Sequence, residues 1–110
     1  MKMVIAIIQG KDAGQLMDKL VARRYGVTRI NTSGGFLRES NATLFMGVQD
    51  NQVEDVLALV RANCQTRTRY ISPLPPMSEP GGEIYVPNPV EVQVGGATVF
   101  VVHVDNYLRI

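Results

Sequence analysis

Few side chains in this 110-residue chain are equipped for covalent chemistry. His103 is the only histidine, set in Val101-Val102-His103-Val104. It reads first as a strand residue at a surface or subunit contact; zinc ligation or general-base work is the lesser alternative, since there is no second histidine and no Cys-His pair close in sequence. Cys64 is the only cysteine, so no internal disulfide can form, and at a helix end it reads as a small buried residue. The adjacent carboxylates Glu54 and Asp55 point in different directions on a helix, which is poor geometry for shared acid–base work. Neither a catalytic set nor a metal-ligating set emerges, and the expectation is a protein that is not an enzyme.

Residues suited to holding a ligand are better represented. In Thr32-Ser33-Gly34-Gly35-Phe36-Leu37-Arg38 the two glycines let backbone N–H groups approach a ligand. Thr32 and Ser33 add hydroxyls, Phe36 a packing surface, and Arg38 a cation for an anion. No Lys-Ser/Thr pair follows and the three-glycine dinucleotide spacing is missing, so this is neither a phosphate-binding P-loop nor a Rossmann turn. An ordinary turn and a ligand loop both fit it. Asn41 can read an adenine edge or cap a turn. Gly47, inside an apolar strand, weakens that strand unless a backbone or ligand comes close. Thr28 can bond a ligand or simply favour a strand. Lys19, Arg23, Arg24, Arg29 and Arg38 cluster around this region, as a positive rim for a small phosphorylated ligand or as scattered solvated charge.

These residues need a scaffold. Met3–Ile8 is an unbroken apolar run, expected as a central strand, and too short to span a membrane. Asp12 and Gln15 have capping-box spacing, so a helix is expected from Asp12, with Ala13, Leu16, Met17, Leu20 and Val21 on its apolar stripe and Gly26 as its stop. Strands follow at Val27–Thr32 and Thr43–Val48. Asp50 is expected to cap a second helix whose stripe is Val53, Val56, Leu57, Val60 and Cys64. Thr98–Val104 is the strongest last strand. Val90, Val92 and Val94 alternate with polar residues ahead of Gly95-Gly96, which reads as a two-residue hairpin turn. The order predicts an α+β split β-α-β fold: an antiparallel sheet with two helices on one face, and a long excursion over Cys64–Val94 before the last core strand. All six prolines fall in Ser72–Pro89, a long surface loop of the kind that serves a site or an interface.

Eleven Lys and Arg against ten Asp and Glu give a formal charge of +1, with 45% apolar and 19% charged residues. That balance carries no argument for DNA or RNA binding. The length suits one domain over residues 1–110, expected in the cytoplasm. Two helices cover only one side of a sheet, and an apolar open face marks association.

Taken end to end, the chain resembles the cyclic di-AMP receptor family of PII-like signal transduction proteins. The likeness is carried by Met1–Gln9, by the loop Thr32–Arg38, and by the run from Pro89 through Val101. The resemblance implies a ferredoxin-like homotrimer that binds cyclic di-AMP, without a further cofactor, in clefts between subunits. It implies contacts at Thr28, Gly35, Phe36, Leu37, Asn41 and Gly47, with Asn41 reading adenine and Phe100 adding apolar wall. The loop Thr32–Thr43 and the proline-rich excursion would respond to ligand and signal to an unidentified protein partner. One departure is clear: where the family commonly has Phe-Arg-Ala-Thr, this chain has Tyr25-Gly26-Val27-Thr28, with Arg24 and Arg29 as possible compensating cations. Arg24, two positions before Gly26, would share its side if both lay on one strand. The alternative reading is a PII-like trimer that binds another adenine nucleotide, or that has lost its ligand because Gly26 replaces the arginine.

Overall fold

The structure, a computed structural model, describes residues 1–32, 41–71 and 89–110. Strand β1 (Lys2–Gln9) leads into helix α1 (Gly10–Ala22), then strands β2 (Thr28–Thr32) and β3 (Asn41–Val48). A 3-10 turn (Asp50–Gln52) precedes helix α2 (Val53–Asn63), followed by β4 (Arg67–Ile71), β5 (Val90–Val94) and β6 (Ala97–His103). The main sheet is antiparallel with order β2-β3-β1-β6, while β4 and β5 form a separate two-stranded sheet. This is the expected split β-α-β arrangement with an inserted hairpin.

Strand alternation explains the layers. Val4, Ala6 and Ile8 of β1 lie opposite Met46, Leu44 and Ala42 of β3, and all six are fully buried. Ala13, Leu16 and Leu20 of α1, with Val56, Leu59 and Val60 of α2, close the same core. The unbroken apolar run of β1 has its reason here. Its other parity, Met3, Ile5 and Ile7, faces the uncovered side and is half-buried. Ile30, Phe100 and Val102 share that side and are exposed.

Four local expectations need correction. Helix α1 starts at Gly10 with Gln9 in the cap position, and Asp12 lies in the first turn. Asp12 is 6% exposed and its Oδ1 accepts a hydrogen bond from Arg67 Nη2 at 3.0 Å, so its partner is a distant strand, not its own helix end. The helix stop is Arg24, not Gly26. Arg24 takes the left-handed conformation (φ 65°), while the Tyr25 N–H reaches the Leu20 carbonyl and the Arg24 N–H the Val21 carbonyl. This is a Schellman motif with arginine where glycine is usual. Asp50 does not cap α2: Gln49 and Gln52 cap the 3-10 turn reciprocally, and the Asp50 carboxylate lies 3.0 Å from the Met1 ammonium. That hydrogen bond and charge hold Asp50 below the usual carboxylate range.

The fourth correction concerns Gly95-Gly96. Both have positive φ, 85° and 89°, yet the strands they join belong to different sheets. The pair is a crossing point between the hairpin and β6. The Gly96 N–H donates to the Cys64 carbonyl at 2.6 Å, and the Gly95 N–H to the buried Gln9 side chain at 2.7 Å. The exit of the hairpin is thereby fixed to the start of α1 and the end of α2.

Candidate functional site

The register places the candidate residues on the uncovered face. Thr28 lies opposite Phe45, which lies opposite Ile5, which lies opposite Phe100, making one row across all four strands. Gly47 lies opposite Met3, and Asn41 lies between Thr32 and Gln9. Thr28, Asn41, Gly47 and Phe100 therefore share one face of the sheet.

They do not share one place on it. A cavity of about 380 Å³ is lined by Met1, Met3, Gly26, Thr28, Phe45 and Gly47, and closed by Val104 and Asn106–Leu108 of the C-terminal segment. A β-carbon added at Gly47 would sit 3.1 Å from Met1 Cε, so glycine here leaves space beside Met1. Gly26 also lines the cavity, and a β-carbon there meets nothing within 4 Å. Asn41 stands six residues along β3 from Gly47, about 20 Å at about 3.3 Å per residue. It is 5% exposed, at a polar end of the face where Thr32 and Thr43 hydroxyls bond at 2.9 Å.

The possible compensating cations are placed elsewhere. Arg24 is in the helix-terminating turn and Gly26 is in no strand, so the strand-parity argument linking them does not apply. Arg29 has the parity opposite to Thr28, on the helix-covered side at the sheet edge, where its Nε donates to Asn31 Oδ1 at 3.2 Å. Neither lines the cavity. Gly35, Phe36, Leu37 and Arg38, and nearly all of the proline-rich excursion, lie outside the described residues.

Sequence reasoning missed Met3, Phe45 and the C-terminal wall. The first two were available from the parity of β1 and β3 once Gly47 was singled out. Val104–Leu108 carried no comparable signal. Also missed was what fixes the segment entering β2. Tyr25 Oη donates to Asp55 Oδ2 at 2.7 Å, and Arg23 Nη1 donates to Asp55 Oδ1. The hydrogen bonds from Tyr25 and Arg23 lower the Asp55 pKa, and the bond to that carboxylate raises the Tyr25 hydroxyl above its ordinary value.

No cluster of three His, Cys, Asp or Glu side chains that could hold a metal is present among the described residues. His103 is largely exposed, its Nε2 3.5 Å from Asp105. Cys64 is buried, and burial pushes its thiol up to about 11, away from nucleophilic use. It borders a second cavity of about 320 Å³ between α2 and β6 that contains none of the candidate residues. No helix of the described residues is long and apolar enough to cross a membrane.

Comparison with known proteins adds the family. The crystal structure of a functionally unknown protein from Pediococcus pentosaceus ATCC 25745 is similar, with a TM-score of 0.77 and 36% identity. The match covers 99% of this chain and 96% of that one. The family model for the cyclic-di-AMP receptor matches residues 1–110, the whole length that contributes the sheet, the cavity and the hairpin. This chain belongs to the cyclic-di-AMP receptor family.

Proposed function

We propose that the protein is a sensor that binds cyclic di-AMP in clefts between the subunits of a homotrimer and signals the bound state to a protein partner through its two long loops. The family match over residues 1–110 carries the ligand. The geometry supports the shared cleft. Thr28 and Gly47 line a cavity of about 380 Å³, near the small end of the usual ~300–1,000 Å³ for ligand pockets. Asn41 lies at the far end of the same face, beyond the reach of one cavity. A neighbouring copy that covers the face would complete the cavity with its own residues and bury Ile30, Phe100 and Val102. Phosphates would find backbone donors and the Thr28 hydroxyl, while Phe45 and the methionines supply apolar contact to a base. Occupied and empty trimers then differ in free energy, which is what a partner reads.

A second reading is favoured by Gly26. It lines the cavity without a side chain, and no Lys or Arg is among the described residues lining it. A chain built this way binds a different adenine nucleotide, or none. Isothermal titration with cyclic di-AMP, cyclic di-GMP, ATP and cyclic AMP decides between the two. The first reading expects tightest binding of cyclic di-AMP at one ligand per subunit, and strong weakening by Asn41→Ala with the oligomer intact. A β-carbon at position 26 meets nothing within 4 Å, and Gly26→Arg should tighten cyclic di-AMP binding. Binding of no nucleotide by the native chain, or tighter binding of ATP or cyclic AMP, replaces the first reading with the second.

A further inference from the structure

We infer that Tyr25 and Asp55 are positioning residues for the nucleotide cleft, holding from outside the cavity the segment that carries Gly26 and Thr28 into it. The inference rests on the proposed cyclic di-AMP reading.

The segment has two firm ends and a loose middle. Upstream, the Schellman bonds from Arg24 and Tyr25 end α1 at fixed geometry. Downstream, Thr28 enters the sheet opposite Phe45. Between them Gly26 lies outside any helix or strand and is exposed. Glycine is the residue with most backbone freedom to lose, so this stretch samples other conformers unless something restrains it. The restraint is side-chain chemistry from another element. Asp55, on α2, accepts from Tyr25 Oη at 2.7 Å on one oxygen and from Arg23 on the other. A hydrogen bond to a charged acceptor is among the stronger kinds, and the Tyr25 ring packs partly against the core as well. The clamp touches the residue immediately before Gly26, where it acts most directly on the cavity wall. Tyr25 and Asp55 do not themselves line the cavity. They act through the backbone.

Tyr25→Phe removes only the hydroxyl and keeps the ring. If the ordered conformer of segment 25–28 falls to about a fifth of the population, the apparent Kd for cyclic di-AMP rises about fivefold. Amide exchange of residues 26–28 should quicken by more than that factor in the ligand-free protein, because the open fraction rises from a small value to about four fifths. The double variant Tyr25→Phe/Gly26→Ala separates positioning from general stability. Alanine at 26 meets no atom within 4 Å, and it narrows the backbone's choices, so it restores affinity and slow exchange in the Tyr25→Phe background. Unchanged exchange in Tyr25→Phe overturns the inference, whether or not nucleotide binds. So does a loss of affinity that Gly26→Ala leaves uncorrected. Failure of the native chain to bind any nucleotide sinks the functional reading instead, while the exchange rates still decide what the clamp does.

Discussion

Breaking the ion pair that ties the hairpin to α1 should cost more from its exposed end than from its buried end. Arg67 Nη2 lies 3.0 Å from Asp12 Oδ1, with the Asp12 side chain 8% exposed and that of Arg67 46% exposed. At that distance and an effective dielectric of about 20, the gross attraction is about 5.5 kcal/mol, most of it offset by desolvation of the carboxylate. Arg67→Met leaves Asp12 charged and enclosed. Its Oδ2 is already buried without a hydrogen-bond partner among the described residues, so none of them offers a second donor to take over. Orphaning one member of a fully buried pair costs about 3–5 kcal/mol; with Arg67 half in water, about 2–3 kcal/mol is expected. Asp12→Asn removes the charge from the buried side and lets the arginine turn to solvent, for about 1 kcal/mol. The double variant should resemble Asp12→Asn alone, because the penalty of Arg67→Met is the orphaned carboxylate. Urea unfolding of the four proteins, compared at equal m-values, measures the difference. If Arg67→Met costs no more than Asp12→Asn, the claim that Asp12 is an enclosed charge held by Arg67 is wrong.

Arg24→Gly should stabilise the protein by about 0.5–1 kcal/mol: relief of a left-handed non-glycine conformation, about 1–2 kcal/mol, exceeds the extra freedom glycine gives the unfolded chain. Unchanged cyclic di-AMP affinity in that variant assigns Arg24 to ending the helix, whereas a marked loss makes it a ligand cation after all. Gly47→Leu should abolish nucleotide binding by filling the cavity beside Met1, with circular dichroism and subunit number retained; undiminished titration heats in that variant would place the ligand elsewhere. The Cys64 thiol is held up to about 11 when folded against 9.0 unfolded, so its contribution is intact below pH 9 and is lost as pH rises toward 11. Stability against pH should decline over that window and flatten in Cys64→Ala, and thiol reagents at pH 8 should modify the native protein far more slowly than the urea-unfolded chain.

Much of the architecture was legible because it depends on patterns within one element. The apolar run of β1 implied a centre strand, and the helical stripes of α1 and α2 implied which side of the sheet they cover. Leu59 escaped notice because it lies at the margin of a stripe already satisfied by Val56 and Val60. Two of the mistaken assignments share a cause: a polar residue with a plausible local partner was given it. Asp12 reads as a cap by spacing, yet its partner Arg67 is 55 positions away. Asp50 likewise turns to the Met1 ammonium. Gly95-Gly96 permits positive φ, a local property, but which strands then pair is settled by the sheet. Within the site, Gly47 could be singled out because glycine in an apolar strand demands a reason. Asp55 could not, since a carboxylate on a helix announces nothing about a tyrosine 30 positions earlier.

The hydrogen bond from Gly96 to the Cys64 carbonyl means that the inserted hairpin leaves and rejoins the rest of the chain at nearly the same point. An appendage attached in this way can be lengthened, trimmed or exchanged with little strain on the main sheet, since closing a longer loop costs only slowly more entropy. Such a junction lets a lineage try new recognition surfaces on an unchanged chassis.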